Sequence, residues 1–203
     1  VTTKLPLIVS CGMSDMAEVF QALETIGTFE GYPTILLLCT SEYPTQPENV
    51  NLLKLETLKN SFPDLIIGFS DHTQGTLASS LAVSFGAVFF EKHFTLDNDL
   101  EGPDHWFSEN PIGLGKWTTA IHNSFKMMGS RVIRPSKGES ENKKEFQRVV
   151  VAKKDINLGD VFDLDNLTVS RVSGGKGFPP SFLRRILGQK SNKIYSKNEA
   201  ITI

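Results

Sequence analysis

LIIGFSDHTQGT, residues 65–76, is an apolar run that stops at a serine, an aspartate and a histidine. A short continuous apolar run bounded by turn residues reads as a strand buried on both faces, so the polar triplet marks its end. Three further runs share this form: LPLIVSCG (5–12), TILLLCT (34–40) and AVFFEKH (87–93). In chain order the four runs start 29, 31 and 22 residues apart, which leaves room for one helix between each pair.

The intervening stretches carry helical apolar spacing. The first is expected to start at Ser14 as N-cap and to end before Gly27. The second carries Leu52, Leu53, Leu55 and Leu58 and stops at Pro63; the third carries Leu77, Leu81 and Phe85 before Gly86. After the fourth run, Leu114, Trp117, Ile121, Phe125 and Met128 lie along one helical stripe. The pattern is a β/α repeat with a parallel sheet covered by helices.

An open doubly wound sheet and a (β/α)8 TIM barrel both fit that repeat. The glycine-rich phosphate fingerprint of a dinucleotide fold is absent, whereas several strand ends carry polar residues, as the C-terminal face of a barrel does. The expected fold class is therefore α/β, a TIM barrel. Only four units fit before residue 130, and a whole barrel takes about 250 residues, so only the C-terminal half is expected within these 203 residues. Residues 130–146, SRVIRPSKGESENKKEF, are dense in charge and read as a linker. Residues 147–203 have short β-branched runs, and an echo links DINLGDVF to KIYSKNEAI, which points to a small, turn-rich β module.

Composition narrows the chemistry. With 39% hydrophobic and 22% charged residues the chain can bury a core, and a net charge of −2 with interspersed signs offers no footprint for nucleic acid. Cys11 and Cys39 lack a CxxC spacing and read as reduced thiols of a cytoplasmic protein; no apolar stretch is long enough to span a membrane.

Residues two apart on a strand share a face. Ser70 and His72 therefore point the same way at one strand end, and Glu91 and His93 at the next. Neighbouring strands would bring two imidazoles and a carboxylate together as a divalent metal site with open positions for substrate. Catalytic zinc takes three protein ligands. Two histidines suit a more hydrated ion, Mn²⁺ first, with Mg²⁺ or Co²⁺ as alternatives. Hydrogen-bonded strand ends without metal are the plainer reading of the histidines, and an ion pair with Lys92 or another cation that of Glu91. Asp104, in the loop LEGPDHWFS (100–108), suits either sugar hydroxyls or a turn cap. Ser41 and Tyr43, in CTSEYPTQP (39–47), suit either a ligand or a turn. His105 and His122 are weaker candidates, and His122 reads as a surface or packing residue of a helix.

Four motifs, SCGMS, CTSEYPTQP, GFSDHTQG and FFEKHFTLDNDLEGPDHWFS, together resemble the sialic acid synthase family, including bacterial relatives that make nonulosonic acids or spore coat polysaccharide precursors. VVAKKDINLGDVFDLDNLTVSRV resembles the antifreeze-like (SAF, β-clip) domain that follows the barrel in that family. The resemblance implies condensation of phosphoenolpyruvate with the open-chain aldehyde of an N-acylated amino sugar, such as N-acetylmannosamine. His72 and His93 match the metal ligands, and Ser70 a phosphoenolpyruvate contact. Tyr43 and Asp104 match positions that bind the amino sugar. Arg171, in TVSRVSGG, matches an arginine presented to the partner's active site in a swapped homodimer. Glu91, beside the metal, is the candidate for orienting water or relaying a proton.

Three features depart from the family pattern. Cys11 replaces the threonine of S-T-G-M, Ser41 stands where some members have asparagine, and the first four strands, with their glutamate and lysines, have no counterpart. The chain alone is therefore expected to be inactive. The alternatives are another phosphoenolpyruvate-dependent keto-deoxy sugar acid synthase, against which the antifreeze-like tail argues, and a noncatalytic carbohydrate-binding or interaction scaffold.

Overall fold

The structure, a computed structural model, describes residues 4–172, 174 and 176–202. The chain separates into two compact units, one ending at Ser130 and the other beginning at Arg131.

In the first unit each expected run forms a strand: β1 Leu7–Ser10, β2 Thr34–Cys39, β3 Ile66–Asp71 and β4 Phe89–Lys92. They make one parallel sheet in the order β1-β2-β3-β4, joined by helices α1 Met16–Ile26, α2 Pro47–Val50, α3 Lys54–Ser61 and α4 Leu77–Ser84; α5 Pro111–Met128 follows β4. A doubly wound sheet reverses its strand order at a switch point. Here the order simply follows the chain, as a segment of a barrel does; four strands form an open sheet rather than a closed one.

The alternation of side chains sorts this sheet into two faces. Leu36, Leu38, Ile67 and Phe69 face the helices, where Val19 and Leu23 of α1, Leu55 and Leu58 of α3 and Ala78 and Ala82 of α4 complete a core. The opposite face carries cross-strand rows: Leu37 beside Gly68 beside Phe89, then Cys39 beside Ser70 beside Glu91. Gly68 is required by its row. A methyl group there would run into the Leu37 side chain and come within 2.5 Å of the Phe89 carbonyl oxygen.

Two helix details differ from expectation. The N-cap of α1 is Asp15 rather than Ser14, because Asp15 and Glu18 close a reciprocal capping box at 2.9 Å in both directions. On α4 the leucines are not the buried stripe: Leu77 is 70% and Leu81 46% exposed, while Ala78, Ser79, Ala82 and Val83 face inward. Small residues let α4 lie close to the sheet, and Ser79 uses that proximity for a hydrogen bond described below. On α5 the expected stripe holds at Trp117 and Ile121, which bury against Val83, and opens to solvent by Met128.

In the second unit the stretch read as a linker contains helix α6, Lys137–Phe146, started by a capping box between Ser136 and Glu139. Beyond it, β5 Arg148–Ala152 pairs antiparallel with β6 Leu167–Arg171, and α7 Leu183–Ile186 covers a core of Val150, Ile156, Phe162, Ile186, Tyr195 and Ile201. The sequence echo is structural. Ile156 and Tyr195 exchange backbone hydrogen bonds at 2.9 Å, and each is followed by a turn with a left-handed residue, Gly159 (φ 87°) or Asn198 (φ 69°). The acidic residue after it, Asp160 or Glu199, accepts from the backbone N–H three residues earlier.

Two substitutions test this architecture by urea unfolding. Gly68→Ala overpacks the row and is expected to cost about 1–3 kcal/mol. Gly159→Ala places a Cβ in left-handed backbone and is expected to cost about 1–2 kcal/mol. An unchanged midpoint in either variant contradicts its assignment.

Candidate functional site

The register of β3 against β4 builds the site. Ser70 lies beside Glu91, and the Ser70 hydroxyl donates to Glu91 Oε1 at 2.7 Å. One residue further, Asp71 lies beside Lys92, facing the helices. Both chains then leave the sheet, and the side chains of His72 and His93 return to the Ser70–Glu91 face. Their rings meet edge to face with centroids 5.1 Å apart.

His72 is buried and locked in one tautomer. Its Nδ1 donates to the Thr40 carbonyl at 2.8 Å, which leaves the Nε2 lone pair available, 3.4 Å from Ser70 Oγ. Burial holds its pKa below the ordinary histidine value, against an upward pull from the Thr40 hydrogen bond; nearby His93 lowers it further. The ring is neutral at pH 7, the form that binds a metal.

The loop after β2 covers this ring. Thr45 N–H donates to the His72 carbonyl at 2.9 Å, and Thr45 Oγ1 donates to the carbonyls of Glu42 and Thr40. The folded loop, with a cis Tyr43–Pro44 peptide, lays the Tyr43 ring over His72 at 4.4 Å and against His93 at 5.5 Å. Ser41 sits lower in the same loop, against Gly12 and Cys39.

The loop after β4 frames His93. Phe107 packs 5.2 Å from its ring, and Asp104 Oδ2 lies 3.9 Å from Nδ1. Asn98 organises the turn by donating to the carbonyls of His105 and Ser108, each at 2.8 Å. His105 hydrogen-bonds Thr95 Oγ1 at 2.7 Å, a structural role, and His122 is exposed on α5.

Six of the expected residues, Ser70, His72, Glu91, His93, Tyr43 and Asp104, thus form one constellation at the C-terminal ends of β2, β3 and β4. Arg171 is an exposed residue at the end of β6 in the second unit. The ion pair considered for Glu91 and Lys92 does not form, because consecutive strand residues point to opposite faces. Lys92 pairs instead with Asp71 at 3.2 Å, with both side chains almost wholly buried. Asp71 also accepts from Ser79 Oγ (2.5 Å), Thr73 N (2.8 Å) and Thr73 Oγ1 (2.7 Å), while Trp117 Nε1 lies 3.4 Å away and donates to Ser79 at 2.9 Å. Lys92 donates to the Thr73 carbonyl. The sequence reading overlooked this network, although alternation plus parallel register would have paired Asp71 with Lys92.

The donor set can be tested against a metal. Among the described residues no group of three or more His, Cys, Asp or Glu side chains is arranged to hold an ion. Two imidazoles, one with its Nε2 lone pair free, suit a hydrated divalent ion and do not suit the three-ligand catalytic zinc pattern.

Beside the constellation lies a cavity of about 540 Å³, lined by Cys11, Cys39, Ser41 and Lys54 among others. Burial is the largest influence on both thiols and pushes their pKa values up. In a Cys39→Ser variant, alkylation of Cys11 by iodoacetamide is therefore expected to be slow at pH 7 and to reach half its maximal rate above the ordinary thiol pKa of about 8.5. A half-maximum at or below that value contradicts the half-buried, protonated thiol.

The NeuB family matches residues 1–133 and the SAF domain residues 147–203. The N,N'-diacetyllegionaminic acid synthase of Campylobacter jejuni is 38% identical over 96% of this chain and 58% of its own length. The N-acetylneuraminate-9-phosphate synthase of Homo sapiens is 34% identical over 91% of this chain and 51% of its own length. The crystal structure of an N-acetylneuraminic acid synthetase from Leptospira borgpetersenii, 35% identical, superposes with a TM-score of 0.62 over 70% of this chain and 49% of that one. The chain thus spans between about half and three-fifths of the length of these curated relatives. Among the described residues no helix is long and apolar enough to cross a membrane.

Proposed function

The chain belongs to the NeuB family and carries a SAF domain, and from that premise we propose that it supplies half the active site of a sugar acid synthase. The reaction joins phosphoenolpyruvate to the open-chain aldehyde of an N-acylated amino sugar. The observation that carries this reading is the convergence of His72, His93 and the Ser70–Glu91 pair at the ends of adjacent parallel strands.

C3 of phosphoenolpyruvate forms a C–C bond to the aldehyde carbon, whose oxygen takes a proton and becomes a hydroxyl. Water adds at C2, and phosphate leaves with cleavage of the C2–O bond. A divalent ion, Mn²⁺ ahead of Mg²⁺ or Co²⁺, held by Nε2 of His72 and by the His93 imidazole, would supply Lewis-acid polarisation of the aldehyde.

The chain's own residues do the rest. Tyr43 and Asp104 flank the histidines and hold the sugar, with the Asp104 carboxylate accepting from its hydroxyls. Glu91, kept next to His72 by the Ser70 hydroxyl, orients the water and takes its proton. Ser70 carries a specific constraint. Its one proton is given to Glu91, so donating to a phosphoenolpyruvate oxygen requires releasing that carboxylate. Substrate binding would thereby free Glu91 for its proton transfer. Ser41 adds a hydroxyl on the Cys39 side, and Arg171 reaches a partner's site in a swapped homodimer, binding the amino sugar there.

The four described strands form an open sheet, and we propose that they do not catalyse by themselves. Ile8 and Ile66 on the inward face of the sheet are 51% and 49% exposed, and the described residues give β1 a strand neighbour on one side only. The 203-residue chain with Mn²⁺, phosphoenolpyruvate and N-acetylmannosamine is expected to release no phosphate. Joined to the first four β/α units of its Campylobacter jejuni relative, it is expected to do so, with the bridging oxygen of phosphoenolpyruvate leaving in the phosphate. His72→Ala or His93→Ala should then lower the rate roughly 100-fold or more. Arg171→Ala should weaken amino-sugar binding while sparing metal binding. Turnover by the chain alone contradicts the half-site reading. A completed barrel that neither binds Mn²⁺ nor turns over favours a noncatalytic carbohydrate-binding scaffold.

A further inference from the structure

Each histidine of the site directly follows one member of the buried ion pair: Asp71 precedes His72, and Lys92 precedes His93. We infer that the Asp71–Lys92 pair, with Ser79 and Trp117 behind it, is a positioning device that fixes where the two imidazoles meet. The inference deepens the metal reading proposed above and rests on it for its purpose, though not for its geometry.

The pair clamps the backbone on which both rings hang. Asp71 and Lys92 are register partners on β3 and β4, so their contact holds the two strand ends at one separation. Thr73, on the far side of His72, belongs to the same network: its N–H and hydroxyl donate to Asp71, and its carbonyl accepts from Lys92. His72 is thus tied on both flanks, and Thr45 N–H holds its carbonyl. His93 is tied through Lys92 on one side and by Glu109 N–H to its own carbonyl on the other. Ser79 on α4 and Trp117 on α5 anchor the carboxylate to the helix layer.

Energetics favour a directional role over a stabilising one. A buried ion pair is often no more stabilising than apolar residues of equal volume, because desolvation offsets the attraction. What it adds is intolerance of error. Sliding β4 by one residue would swing Lys92 to the other face and strand Asp71 without its counter-charge, a penalty that an apolar pair would not impose as sharply.

The test separates folding from positioning. Asp71→Asn combined with Lys92→Met removes both charges while nearly preserving volume. The readouts are thermal unfolding, Mn²⁺ binding followed by electron paramagnetic resonance of the free ion, and, without metal, the nuclear Overhauser effect between ring protons of His72 and His93. The double variant is expected to unfold cooperatively, yet to lose roughly 10- to 100-fold in Mn²⁺ affinity and to show a weakened ring-to-ring effect. A folded double variant with unchanged affinity and an unchanged ring-to-ring effect overturns the proposal. Should that variant not fold, Ser79→Ala and Trp117→Phe, which leave the ion pair in place, decide instead: a several-fold loss of affinity supports the clamp, and wild-type affinity in both overturns it. If the wild type binds no Mn²⁺, the metal reading fails, while the ring-to-ring effect still judges the clamp.

Discussion

Everything at the site follows from the register of β3 against β4. Placing Ser70 beside Glu91 and Asp71 beside Lys92 assigns two consecutive polar positions on each strand to opposite faces of one sheet. One face receives a hydroxyl–carboxylate pair and, two residues later, two imidazoles. The other receives a buried ion pair that touches both α4 and α5. A strand has period two, so no intermediate arrangement exists. The same parity that buries Asp71 presents His72.

This division explains why a strand end so rich in polar groups is stable. Asp71 would be costly in the helix layer without partners, yet it has Lys92, Ser79, Thr73 and Trp117 around it, and no buried side-chain polar atom among the described residues lacks a hydrogen bond. Small residues on α4 let the helix come near enough for Ser79 to take part. On the open face, His72 is held by backbone groups from the neighbouring loop, so its tautomer is set before any ligand arrives. Tyr43 and Phe107 then narrow the approach to His93 from two sides.

Much of this was legible in the sequence. The four apolar runs are the four strands, their spacing implies the crossovers, and two-residue periodicity places Ser70 with His72 and Glu91 with His93. The echo between DINLGDVF and KIYSKNEAI marks two turns, each with a left-handed residue, Gly159 or Asn198, followed by an acidic cap, Asp160 or Glu199. What was not legible depended on contacts between elements. Leucines 77 and 81 have the period of a buried stripe, but the alanines one position on have it too, and only the close approach to the sheet selects the alanines. Residues 130–146 look like a linker by composition, and the Ser136–Glu139 capping box, a local signal overshadowed by charge, starts a helix there. Asp71 and Lys92 sit inside the motifs already singled out, yet pairing them requires the register, which single-strand reasoning does not provide.

Adjacent strand ends are proposed to bring His72 and His93 together to share one divalent ion, and crystallography at the manganese absorption edge would decide whether they do. Crystals soaked in Mn²⁺ should give one strong anomalous difference peak bonded to both imidazoles, on the His72 Nε2 side. A peak elsewhere, or none beside the two rings at saturating Mn²⁺, would contradict the account.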